Sequence, residues 1–170
     1  MTYILPEKIC REIDRWAQKY PPERKRSAII PALLLAQDAN DGWLPKPVIE
    51  AVADYLEIPH IEAYEVATFY SMYELKPVGK HKISVCTNIS CMLSGSERIV
   101  EHLKKKLDIG FGETTPDGKF TLKEVECLAA CARAPMFQIG RHYHEDLTPE
   151  KVDAILAELA SPLFSKGEIL

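Results

Sequence analysis

Four cysteines come as two close pairs, Cys86 with Cys91 in "VCTNISCML" and Cys127 with Cys131 in "ECLAACARAP". The pattern is C-x4-C, then 35 residues, then C-x3-C. Five positions is an awkward interval within one element, because it turns two side chains to different faces of a helix or a strand. A loop that wraps each pair around a shared object removes the difficulty. Thiolates are strong ligands for iron and zinc, and four of them are the donor set of a [2Fe–2S] cluster. Structural zinc also takes four, but its usual knuckle is tighter, with two residues between the cysteines. Spacings of four and three suit two metal ions, one per pair, better than one ion shared by all. Two disulfides are a third arrangement, and small thiols filling a core are a fourth. Cys10, alone on a helical stretch, is read as core filler. On spacing the iron–sulfur reading leads and zinc stands second.

The elements that must present these thiols can be read from periodicity. "HKISVC" alternates apolar and polar residues up to Cys86, which is a strand pattern. After the first cysteine loop, Ser94 or Ser96 can start a helix with Ile99, Val100, Leu103 and Leu107 on one face. "TPDGKF" is a turn, and Phe120 and Leu122 begin a second strand that leads to Cys127. "MFQIGRHYH" reads as two short strands meeting at Gly140. "TPEKVDAILAELA" closes the region as a helix, with Thr148 as cap and Val152, Ile155, Leu156 and Leu159 inward. The order strand, helix, strand, strand, helix indicates a small α/β layer in which both cysteine pairs occupy strand-exit loops.

Upstream the texture is helical. Leu5, Ile9, Ile13, Trp16 and Tyr20 form one apolar stripe that stops at Pro21-Pro22. Ser27 is the expected cap of a second helix through "AIIPALLLAQDA", which "NDGW" ends. "LPKPVIEAVADYLEI" and "PHIEAYEVATFYSMYEL" supply a third and a fourth helix. Phe69, Tyr70, Met72 and Tyr73 lie too close together to share one helix face, so the segment is expected to divide between core and partner contact. Four short helices bury limited area, so this half should pack on the other half or on a neighbouring polypeptide.

The composition bounds the function. A net charge of −4 argues against a general nucleic-acid binder, and the lysines of "EHLKKKLD" read as a solvated helix face. No apolar run approaches the roughly 18 residues of a membrane span, and the N-terminus lacks the pattern of a signal peptide. A reducing compartment is therefore expected, which favours metal ligands or free thiols over disulfides. No Gly-rich dinucleotide fingerprint, P-loop or Ser-His-Asp grouping is present. His142 and His144 share one face of a strand but read as surface histidines. Arg133, two residues after Cys131, would favour a reduced cluster if it faced one, and otherwise reads as a surface arginine.

"VCTNISCMLSGSERI" and "TPDGKFTLKEVECLAACARAP", with "DGWLP" and "EVATFYSMY" upstream, resemble the family of E-type subunits of NADH-quinone oxidoreductase, respiratory complex I. The resemblance runs from about residue 5 to about residue 160. It implies an N-terminal helical region over 1–76, a thioredoxin-like ferredoxin domain over 77–160 and a C-terminal tail over 161–170. It implies one [2Fe–2S] cluster at the positions of Cys86, Cys91, Cys127 and Cys131. FMN and NADH are then expected on a larger flavoprotein partner, beside the rest of the peripheral arm, with no bond-making site in this chain. The place implied is the cytoplasmic face of a bacterial inner membrane, or the mitochondrial matrix for a eukaryotic chain. Related ferredoxin domains serve NAD-reducing hydrogenases and formate dehydrogenases, which is the alternative. A zinc-stabilised interaction module is the rival from another class. Two departures stand out. Ala129 occupies a position where the family often has Gly, at a cost of about 1 kcal/mol if that residue has positive φ. Gly140-Arg141 replaces a frequent Asn-Asp, which reads as a turn substitution.

Overall fold

Proline opens three of the N-terminal helices. Pro6, Pro45 and Pro59, with φ of −57°, −66° and −58°, stand immediately before α1 (Glu7–Ala17), α3 (Lys46–Leu56) and α4 (His60–Phe69). Their fixed φ delivers the chain to each helix without a side-chain cap. In this computed structural model, which describes residues 3–161, α2 (Ile29–Ala39) follows a 3-10 segment over Pro22–Ala28. The expected cap at Ser27 is not made: that residue lies inside the 3-10 segment, and Ala28 occupies the cap position. Pro21 and Pro22 start helical geometry early, before Ser27 is reached.

The chain divides into two compact units, Met1–Pro77 and Val78–Leu170. In the first, Ile13, Leu33, Leu44, Val48, Val52 and Leu56 are buried around Ala28, Ala32, Ala36, Ala63 and Ala67. The alanines let helix backbones approach closely. Trp16 belongs to the expected stripe only in part: it is half-exposed, and Lys19 Nζ lies 3.4 Å from its ring centroid. The fourth helix stops at Phe69, and Tyr70 is already extended. Beyond it the buried Gln37 side chain accepts from Glu74 N (2.7 Å) and donates to Met72 O (3.2 Å). Tyr73 is buried and donates to Ile30 O (2.8 Å), whereas Phe69 is 80% exposed. The four large residues divide as their crowding requires.

The second unit is a four-stranded sheet in the order β2-β1-β3-β4. Its strands are β1 (His81–Cys86), β2 (Phe120–Val125), β3 (Phe137–Ile139) and β4 (His142–His144). β1 pairs parallel with β2 and antiparallel with β3, and β3 and β4 form a hairpin through Gly140. Register aligns Ile83 with Leu122 and with Ile139, and Val85 with Phe137. These residues form one apolar face with Ile99 and Leu103 of α6 (Ser96–Leu107) and Val152 and Leu156 of α7 (Pro149–Ala160). Thr148 caps α7, its hydroxyl accepting from Lys151 N. His102 Nε2 and Lys106 Nζ reach Asp153 Oδ1 at 2.8 and 3.3 Å, joining α6 to α7. Alternation then sends Cys86, with Lys82 and Ser84, to the face opposite the helices. Among the described residues no helix is long and apolar enough to cross a membrane. Of the expected tail over 161–170, all but Ser161 lies outside the described residues.

Candidate metal centre

Cys86 ends β1 at the centre of the sheet. Its N–H donates to Met136 O (3.3 Å), and the next residue, Thr87, donates N–H to Val125 O (3.2 Å). The first cysteine loop is not irregular throughout. Asn88 opens a one-turn helix, α5 (Ile89–Leu93), by accepting from Ile89 N at 2.9 Å, and Cys91 sits in its middle. The short helix folds the chain back, so Cys91 returns to Cys86 despite the five-residue interval. Both are buried, packed with Met136 and with Leu128, Ala130 and Ala134 of the second loop. Burial pushes the Cys91 thiol up to about 11, the neighbouring Cys86 thiol adds to this by hydrogen bond and charge, and Cys131 adds further. A hydrogen bond from the Met136 backbone opposes the rise. The Cys91 thiol is therefore held neutral, and a bound cation would supply the charge that draws its proton off.

The second pair is presented differently. Cys127 and Cys131 are exposed, and Cys131 begins a 3-10 turn through Arg133. Ala129 has φ of +59°, the left-handed conformation, and its N–H donates to Cys127 Sγ at 3.3 Å. That bend aims a backbone donor at a sulfur, an arrangement that stabilises thiolate charge. The sequence expectation for Ala129 thus has its geometric cause here. Replacing Ala129 by Gly removes a left-handed penalty of about 1–2 kcal/mol and returns part of it as unfolded-chain entropy. The expected result is a gain of about 0.5–1 kcal/mol, read as a higher urea midpoint at unchanged m-value.

All five cysteines are free thiols. Cys86 Sγ lies 3.8 Å from Glu126 O, so the last residue before Cys127 already borders the first pair. Among the described residues no three His, Cys, Asp or Glu side chains converge on one metal ion. Leu128, Ala130 and Ala134 of the second loop pack on Cys86 and Cys91, so the two cysteine loops meet, and paired thiols are the donor chemistry of a two-iron cluster. His142 and His144 do not join the cysteines. His142 is exposed, and His144 lies against Phe137 with ring centroids 5.2 Å apart. Burial, then the charge of His142, holds His144 below the usual imidazole value.

Met136 and Asn88 also shape the site, and the cysteine pattern did not single them out. Asn88 carried a usable signal, as an Asx residue one step before a short apolar run. Arg133 Nε pairs with Glu145 Oε2 at 3.1 Å, and its Nη2 with Asp146 Oδ2 at 2.6 Å.

Comparison with known proteins agrees with this geometry. Residues 13–160 match the model of the thioredoxin-like [2Fe–2S] ferredoxin family. The chain is 58% identical over 142 residues to the E-type subunit of NADH-quinone oxidoreductase from Rickettsia bellii, covering 84% of this chain and 85% of that one. It is 48% identical over 165 residues to the same subunit of Rickettsia prowazekii, covering 97% and 93%. To the second E-type subunit of Rhizobium meliloti it is 48% identical over 145 residues, covering 85% and 84%. Its fold resembles part of an NAD+-reducing [NiFe]-hydrogenase crystal structure in the air-oxidised state, with a TM-score of 0.66 and 19% identity. That likeness covers 78% of this chain and 23% of the hydrogenase chain. With its sheet, its cysteine spacing and these matches in accord, the chain belongs to the thioredoxin-like [2Fe–2S] ferredoxin family.

Proposed function

We propose that this chain is the electron-transfer subunit of the NADH-oxidising module of respiratory complex I, with Cys86, Cys91, Cys127 and Cys131 as ligands of one [2Fe–2S] cluster. The observation that carries the reading is the return of buried Cys91 to Cys86, packed against Leu128 and Ala130 of the loop that bears Cys127 and Cys131. When bound, the cluster supplies one-electron oxidation and reduction. The chain's own part is to exclude water from the first sulfur pair and to offer the Ala129 N–H to the second. No proton transfer is required of a side chain. Electron exchange is then with a flavin on a larger FMN- and NADH-binding partner in the peripheral arm, at the inner face of the membrane. Residues 1–76 serve as the helical domain and 77–160 as the cluster-bearing one. The exposed Phe69 and the half-exposed Tyr70 and Met72 are the surface offered to a neighbouring polypeptide of the complex.

The hydrogenase likeness supports a related ferredoxin domain in another assembly as the second reading. Identity of 58% against 19% favours the complex I assignment. The test is iron, zinc and acid-labile sulfide content of anaerobically purified protein, with EPR after dithionite reduction. About two irons and two sulfides per chain with a spin-half signal are expected. One zinc without sulfide would replace the electron carrier with a structural module.

A further inference from the structure

Arg133 stands two residues beyond Cys131 on the same 3-10 turn, yet its guanidinium is committed elsewhere. Nε meets Glu145 at 3.1 Å and Nη2 meets Asp146 at 2.6 Å, so one planar fork spans two carboxylates of the β4–α7 connection. The backbone repeats the connection: Asp146 N donates to Arg133 O (2.8 Å), and Leu147 N donates to Pro135 O (3.0 Å). Leu147 is buried in the core under α6 and α7, which makes this connection a firm anchor. The segment tied to it carries Cys131 at one end and Met136, the packing partner of Cys86 and Cys91, at the other.

From this geometry we propose that Arg133 is a positioning residue for the second cysteine pair. It fastens the Cys127–Cys131 loop to the β4–α7 connection and so sets the separation of the two pairs before any metal binds. The inference rests on the reading of the four cysteines as cluster ligands. Two carboxylates answer one guanidinium, so the cation has little net charge left to act on a cluster, and its effect is mechanical.

Three variants of the full chain separate the two modes of action. Arg133→Gln removes the fork, Glu145→Gln with Asp146→Asn removes its partners, and Arg133→Lys keeps the charge without the fork. Asn is chosen at 146 because Asp146 has φ of +48°, which Asn also tolerates. In the cluster-free chain, amide exchange at Asp146 and Leu147 should rise about threefold in the first two variants, the size expected of exposed ion pairs. In the loaded chain, iron loss to bathophenanthroline disulfonate should rise by a similar factor in both, with Lys only partly restoring it. Any change in midpoint potential should have the same sign in both.

Opposite signs of potential shift, with unchanged iron loss, would make Arg133 an electrostatic tuner and overturn the proposal. Faster exchange with unchanged iron loss would also overturn it, since the clamp would then hold nothing the ligands need. Absence of iron and sulfide from the unsubstituted chain would instead bring down the cluster reading, and the exchange data would still report whether the clamp exists.

Discussion

The Cys127→Ser chain should fold normally and lose the [2Fe–2S] signal, or show one with clearly altered g-values. Choice of cysteine decides whether the experiment is clean. Cys86 and Cys91 are buried against Met136, so a serine there places a hydroxyl among apolar atoms and costs stability as well as a ligand. Cys127 is exposed and contributes only its sulfur, as acceptor of the Ala129 N–H. Exposed substitutions of this kind change stability by less than about 0.5 kcal/mol. A folded chain whose iron and sulfide fall well below about two each would then report ligation alone. Cys10→Ser is the control. Its thiol lies 3.8 Å from Leu5 O and packs against the core of the Met1–Pro77 unit, and its loss should leave the cluster content unchanged. A Cys127→Ser chain with an unaltered spectrum would remove Cys127 from the ligand set.

Much of this site could be read from residue order because its parts are local. The strand alternation of "HKISVC" fixes both the element and the face on which Cys86 emerges. Thr148 followed by Pro149 fixes where the last helix starts. The misses have physical causes. Helix α5 is one turn long, too short for any periodicity to mark, yet it is what brings Cys91 back to Cys86. Pro21 and Pro22 turn the expected Ser27 cap into the interior of a 3-10 segment. Arg133 reads as a surface arginine because its partners lie 12 and 13 residues away, beyond a hairpin that only the folded sheet brings close. The left-handed Ala129 is legible only through the resemblance, since alanine itself carries no preference for that conformation.

Phe137→Ala should cause the larger loss of stability, about 3–5 kcal/mol in the cluster-free chain. Phe137 is fully buried on β3, an interior strand, where it faces Val85 across the sheet and lies against His144. Truncation leaves a cavity between the sheet and α6 and α7, and the register of β1 with β3 prevents the strand from closing it. Against a total stability of about 5–15 kcal/mol, that loss should lower the urea midpoint of the Val78–Leu170 unit severely. The cluster-free chain is the right material, because any bound group adds its binding free energy to the native state and masks part of the deficit. The effect should also reach the site. Met136, the preceding residue, turns to the opposite face and packs on Cys86 and Cys91, so slackness in β3 loosens the wall behind the first pair. Phe137→Leu fills most of the cavity and should cost less than half as much. Equal losses for Ala and Leu would point to the aromatic contact with His144 as the main contribution of Phe137. A loss below about 1 kcal/mol for Ala would mean that the helices collapse freely onto the sheet, and that β3 does not hold the cysteine wall in place.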